Sequence, residues 1–468
     1  IRNRKNAVEL CKAIREDRLL KHNLGTKQEE NIDRETYKKL TYKAAISPPL
    51  CVDEIVNYIN SSEETLQLRA IQSYERLGEE KNSVNDMIKG GIISRCIELL
   101  DSNNISLQFE VTSLLNIITS DTSKKSENVI KYEVIPKLLN LLEHKSSIIS
   151  ELAMCVLCNV IDTPYARDIA LSCNSLPILI DFIKPDTSIT LMDNITWLLS
   201  NLYQKTATRT SKEMEHILPV LNRLLSIEND YIISDTCRIL SYLTDGSKSN
   251  VQAIMETGIL PKLLECLTSE KKGIFFPTLL TIRNIVEFGD DAYKDDVITA
   301  GGLPCLRSVL SLHCDKEDVT EKETIWIICK MAGNMDQIQS IIDAGLLKIL
   351  INRIAYENKE IKMLSGLVLM NMLSSGTSQQ LTELLNAGVL IEFCNLLKTE
   401  DYDIVINALK GFSKILHNAK EKGQIERFAT MIEEAGGLNR LVALRCHQNE
   451  MIYKKSTSII HLYYFLIN

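Results

Sequence analysis

An all-α array of stacked helical repeats is the fold this sequence predicts, and three observations predict it. Short anchors, a small residue followed by aliphatics and then often Pro, recur every 41 to 48 residues along the chain. Apolar residues at helical spacing follow each anchor. Alternation of β-branched residues is absent, and 19 Gly and 10 Pro are few for 468 residues, which suits long helices better than many tight turns.

The anchors read, in order, "KGGIIS", "KYEVIP", "CNSLP", "EHILP", "ETGILP", "AGGLP", "DAGLLK", "NAGVLI" and "EAGGLN", with the Pro or its equivalent at 94, 136, 177, 219, 261, 304, 348, 391 and 439. After each comes an apolar helix. In "ILPKLLECL", Leu260, Leu263, Leu264 and Leu267 lie on one stripe and Pro261 suits a first helical turn. A polar gap and a second apolar helix complete the unit. The pairs "GG" at 90–91 and 301–302 read as turns between helices. A helical repeat of about 40 to 47 residues belongs to armadillo or HEAT arrays. Such repeats bury their apolar faces on their neighbours and leave an extended concave surface for binding.

Composition narrows the function. No apolar run approaches the roughly 18 residues of a membrane helix, and "IRNRKNAVELCK" lacks the apolar core of a signal peptide. A cytosolic or nuclear protein without membrane insertion is expected. The 13 cysteines are scattered, and the single C-x-x-C, Cys155 and Cys158, sits in an apolar helical run. Core packing explains that pair better than zinc or redox chemistry. Residues 1 to 45 carry 12 Lys+Arg against 7 Asp+Glu, so a net +5 head precedes a body of net −13. An acidic body disfavours direct nucleic-acid binding and favours basic peptides.

One helix carries a repeating pattern. Asn116, Asn159, Asn201, Tyr242, Asn284, Lys330 and Asn371 follow one another at spacings of 43, 42, 41, 42, 46 and 41. One turn earlier stand Thr112, Cys155, Trp197, Arg238, Leu280, Trp326 and Leu367, so both tryptophans of the chain share one slot. These could be core aromatics with hydrogen-bonded asparagines behind them. Yet Asn is a poor helix-interior residue, and its recurrence at one register needs a common reason. A ladder of carboxamides can hydrogen-bond an extended peptide backbone while indole faces hold Lys or Arg stems.

These segments resemble the armadillo repeats of the importin-α family. "NITWLLSNL" is similar to the family's fourth repeat, "SDTCRILSYLTDGSKSNVQAIMETG" to the fifth, "RNIVEFGDD" to the sixth and "KETIWIICKMAGNMDQIQSIIDAG" to the seventh, and "MIEEAGGLNRLVALRCHQNEMIYKK" resembles the last. The resemblance implies an armadillo right-handed superhelix of about ten repeats over 51–468, a linker over 25–50 and a basic importin-β-binding segment over 1–24. It implies a nuclear import adaptor that shuttles between cytoplasm and nucleus. Cargo localisation signals would bind a major site at Trp197, Asn201, Asn194, Asn159, Asn116 and Asp235. A minor site would comprise Trp326, Glu323, Asn284 and Asn371. Importin-β would take Arg2, Arg4, Lys5, Lys12, Arg15, Arg18 and Lys21, through pairs with its carboxylates. The last repeat is where the family meets its nuclear export receptor.

The sequence also departs from that pattern. Of the major-site pairs only Trp197–Asn201 is complete, since Thr112 and Cys155 stand where indoles are expected. Lys330 replaces the Asn after Trp326 and would repel a cationic peptide, and Leu152 and Leu364 stand where a polar residue would precede the slot. The acidic residue expected after Asn159 would be Asp162 only if the alignment slips by one. "LLKHN", at the end of the head, lacks the basic cluster that occupies the family's own groove, so autoinhibition is expected to be weak. Weak binding of generic basic signals and a narrow cargo range follow. The alternative is an armadillo scaffold with a partner outside transport. No phosphate-cradling glycine loop, nucleophile motif or metal cluster is visible, so neither catalysis nor a cofactor is expected.

Overall fold

A computed structural model describes residues 50–77, 91–121, 134–161, 163–204, 211–312, 318–355 and 358–467. All the regular structure among them is helical. The basic segment 1–24, most of the linker, Asp162, and His313 and Cys314 lie outside the described residues.

Where a repeat is described in full, it consists of two short helices and one long one, as in Lys248–Glu256, Leu260–Leu267 and Lys272–Phe288. The long third helices are α1 (Glu64–Leu77), α2 (Ile105–Asp121), α3 (Ser147–Val160), α4 (Ile189–Tyr203), α5 (Asp230–Thr244), α6 (Lys272–Phe288), α7 (Asp318–Met331), α8 (Lys359–Ser375), α9 (Tyr402–Glu421) and α10 (Glu450–Ile467). Ten such helices lie among the described residues, in line with the expectation of about ten repeats. The chain divides into two compact units, Ile1–Val220 and Leu221–Asn468. In the first, α1 to α4 pack each on the next, and in the second α5 to α10 do the same.

Local chemistry sets the boundaries. The anchor residue before the second helix is the point where the backbone turns left-handed: Gly258, Gly301, Gly345, Gly388 and Gly436 have φ between 67° and 91°. In "CNSLP" Asn174 takes that place at φ 55°, the residue other than Gly that best tolerates it. The polar gap before several third helices ends in a side-chain N-cap. Side-chain oxygens of Ser188, Asn229, Asn358 and Asp401 accept from backbone N–H groups of the first turns of α4, α5, α8 and α9.

Sandwiching between two neighbours explains why the third helices are apolar nearly all round. In α3, eleven of fourteen residues are buried, Cys155 and Cys158 among them, as core residues. The stripe Leu260, Leu263, Leu264 and Leu267 is also buried. Lysines one residue after anchor prolines tie second helices together: Lys137 Nζ reaches the Ile97 carbonyl at 3.1 Å, and Lys262 Nζ the Asn222 carbonyl at 2.6 Å.

Two prolines behave differently from Pro261, which does open its helix. Pro219 lies inside the continuous helix Ser211–Leu224, because here the anchor contains no glycine to turn the chain. Pro277 sits inside α6 and has no N–H to offer the Gly273 carbonyl four residues back. The Ser234 hydroxyl on α5 donates to that carbonyl at 2.8 Å instead.

Candidate peptide groove

The slot residues differ sharply in exposure. Trp197 on α4 and Trp326 on α7 are half-buried, each with part of its indole open to solvent. Thr112 and Cys155, which replace indoles in the second and third repeats, are 0% and 1% exposed. The missing tryptophans therefore leave no open pockets. Leu367, in the eighth repeat, is 41% exposed.

A structural reason for the asparagine column emerges one residue at a time. Asn159 Nδ2 donates to Asn116 Oδ1 at 3.0 Å and to Thr119 Oγ1 at 3.2 Å, one repeat earlier. Asn284 Nδ2 donates to the Ser241 carbonyl at 3.2 Å and Thr244 Oγ1 at 3.1 Å. Asn371 Nδ2 meets Cys329 Sγ at 3.7 Å. The series continues at Asn418, forty-seven residues on, whose Nδ2 bonds the Leu373 carbonyl. Ser241 and Leu373 lie in the last turns of α5 and α8, where helix carbonyls lack intrahelical partners. Asn284 and Asn418 thus close the C-terminal end of one third helix with an amide from the next, while Asn159 and Asn371 reach side chains of the preceding helix.

Asn201 is the exception. It is half-buried, and its Nδ2 makes no hydrogen bond. Its neighbour Asn194 is buried, and Nδ2 of that residue is turned onto Cys155 Sγ at 3.8 Å while its carbonyl accepts from Cys158 Sγ–H. Of the residues expected at the first site, Trp197 and Asn201 are partly exposed, although Asn201 Nδ2 itself is buried, whereas Asn116, Asn159 and Asn194 are buried. Asp235 belongs to the second unit, is buried on α5, and pairs with Arg238 at 3.2 Å.

The second site is built from α6, α7 and α8. Arg283 and Lys330 each bring a cation to 4.8 Å from the centroid of the Trp326 ring. Arg283 Nε lies 2.8 Å from Glu323 Oε2, and Glu287 lies 3.8 Å from both Arg283 and Lys330. Lys322 pairs with Glu360. A groove of about 420 Å³ runs past Arg283, Glu323, Trp326, Met363 and Leu364. Reading the sequence by the slot and column alone misses Arg283 and Glu287. Their signal was available as an i, i+4 Arg–Glu pair beginning one residue before Asn284.

Comparison with known proteins settles the family. An Atypical Arm repeat family model matches residues 426–466. Importin subunit alpha-1a of Oryza sativa subsp. japonica is 31% identical over 474 residues, covering 99% of this chain and 89% of the relative. The chain belongs to the importin-α family. Importin subunit alpha-4 of Arabidopsis thaliana is 30% identical, covering 99% of this chain and 88% of its own length. A crystal structure of an engineered protein, 19% identical, superposes with a TM-score of 0.68 over 88% of this chain and 98% of its own, a likeness of fold alone. Membership in the importin-α family makes this chain a nuclear import adaptor of armadillo fold, and no enzyme.

Proposed function

We propose that this importin-α relative binds lysine- and arginine-rich localisation peptides of cargo proteins along α2 to α4, with Trp197 and Asn201 as the contact centre. One observation carries the reading: a half-buried indole stands one helical turn from a carboxamide whose buried NH2 makes no hydrogen bond, while other asparagines of the column spend theirs on the preceding repeat. With no hydrogen bond to break, the carboxamide can turn outward so that a peptide carbonyl satisfies it, and the indole face would hold a cationic stem. Asn116, Asn159 and Asn194 keep the neighbouring third helices in register. With two indoles replaced by the sealed Thr112 and Cys155, one cation–π contact serves where the family uses three, and the cargo range is narrow. Importin-β takes the basic residues Arg2, Arg4, Lys5, Lys12, Arg15, Arg18 and Lys21, the last repeat meets the export receptor, and the adaptor shuttles between cytoplasm and nucleus.

The test is a fluorescence-anisotropy titration of a labelled lysine-rich peptide into the full chain and its Trp197→Ala variant. The expected result is saturable binding, weakened about tenfold or more by the substitution. Absence of binding would move the function to a scaffold with a partner outside transport. Importin-β captured by the full chain but not after deletion of residues 1–24 would support the docking role of the head.

A further inference from the structure

The two tryptophans occupy the same slot in surroundings of opposite character. Beside Trp197, the column position one turn on is the neutral Asn201, and the residue one before the column in the preceding repeat is Cys158. At the same two places around Trp326 stand Lys330 and Arg283, and both cations lie over the ring. The carboxylates that would neutralise a visiting lysine are engaged as well. Glu323 pairs with Arg283, Glu287 lies between Arg283 and Lys330, and Glu360 at the groove's edge holds Lys322.

We propose that Arg283 and Lys330 are specificity-determining residues that close the Trp326 groove of this chain to cationic peptides by occupying its indole and carboxylates from within. This deepens the proposed function and rests on it only in that basic peptides are the ligand class. A basic side chain entering this groove gains little, because each contact it makes displaces an equivalent contact of Arg283 or Lys330. Both competitors are tethered, so they act at an effective concentration on the order of millimolar or more, against a peptide at micromolar levels. The entering charge also meets two or three like charges at short range, since Lys322 lines the same groove. Recognition is thereby concentrated in the Trp197 register. A two-cluster basic signal would engage this adaptor through one cluster.

The chain has only two tryptophans, so in a Trp197→Ala background indole fluorescence reports on Trp326 alone. Octalysine would be titrated into full-length Trp197→Ala and into the same chain carrying Arg283→Gln and Lys330→Asn, with circular dichroism confirming the fold of each. The expected result is no saturable change in emission for the first across the micromolar range. The second should show a saturable change with apparent affinity at least about tenfold tighter. Lys330→Asn alone, at an exposed position, should give a smaller gain in the same direction and serves if Arg283→Gln impairs folding. Equal titration curves with and without the cation substitutions would overturn the proposal, as would a folded variant that still does not respond. Failure of the Trp197 site leaves this readout untouched, because Trp197 is absent from both proteins.

Discussion

Asn284 and Asn201 occupy the same column, yet replacing each by Ala should have opposite consequences. Asn284 is 3% exposed and its Nδ2 donates two hydrogen bonds, to the Ser241 carbonyl and to Thr244 Oγ1. At about 1 kcal/mol each, with the Ser241 carbonyl still accepting from Thr244 Oγ1 and about 0.5 kcal/mol recovered from the better helix propensity of Ala, the net cost is about 1.5 kcal/mol. That corresponds to roughly a tenfold change in a local opening equilibrium. The final turn of α5 loses the amide that closes it, so hydrogen exchange there should accelerate by about that factor while distant helices are unaffected. Asn201 Nδ2 has no such bond, and Asn201→Ala should leave stability within about 0.5 kcal/mol of the parent, while weakening basic-peptide binding if the proposed groove is correct. Hydrogen-exchange mass spectrometry of both variants, with thermal melts alongside, decides the matter. Equal destabilisation by the two substitutions would refute the assignment of the column to inter-repeat closure with one member released.

Ser234→Ala should cost about 0.5–1.5 kcal/mol through loss of the donor to the Gly273 carbonyl, and the cost should shrink in a Pro277→Ala background, where a helical N–H is restored; a double-mutant cycle on melting temperature would show no coupling if the account is wrong. Cys155→Trp, which would rebuild the family's pair with Asn159, should instead lower the melting temperature, because Cys155 is 1% exposed with Asn194 turned onto it and overpacking such a site costs about 1–3 kcal/mol. The Asp401 carboxyl is held below its ordinary range, chiefly by Lys359 and further by the first-turn N–H groups of α9. Its contribution is therefore present above the unfolded value of about 3.9 and lost as pH falls through the lowered one; Asp401→Asn should flatten the dependence of melting temperature on pH below about 4 relative to the parent.

The repeat architecture was legible because its signals are local. A left-handed turn demands Gly or Asn, so Gly258, Gly301 and Asn174 mark the same joint in three repeats. Caps demand a short polar side chain, so Asn229, Asn358 and Asp401 mark third-helix starts. Pro219 misled because the same residue type opens one helix and sits within another, depending on whether a glycine precedes it. The site was harder to read. A carboxamide both donates and accepts, and the sequence does not show which way it faces. Asn284 and Asn201 look equivalent in the sequence, yet the first is buried with its Nδ2 bonded to the preceding third helix and the second is half-buried with its Nδ2 unbonded. Arg283 escaped notice because its partners Glu323 and Trp326 are 40 and 43 residues away, a full repeat, and only stacking of α6 on α7 brings them together.

These facts bear on how a repeat array can change what it binds without changing its fold. The slot and column are positions where two neighbouring third helices meet, so a substitution at either is judged by the repeat before it as well as by a ligand. At Cys155 and Thr112 the small residue is sealed between helices, and the slot belongs to the core. At Lys330 the fold is retained, since the side chain stays exposed, yet its charge joins Arg283 over Trp326 and takes up the acidic neighbours. Loss of an indole removes a contact worth about 0.5–2 kcal/mol, whereas a tethered cation leaves the indole in place and makes it unavailable. The second change leaves the indole in place, so removing Lys330 should undo it in part while Arg283 remains over the ring. If Lys330→Asn alone reopens the Trp326 groove, peptide specificity here is set by charge placed on an intact scaffold, and the two sites have diverged by different physical routes.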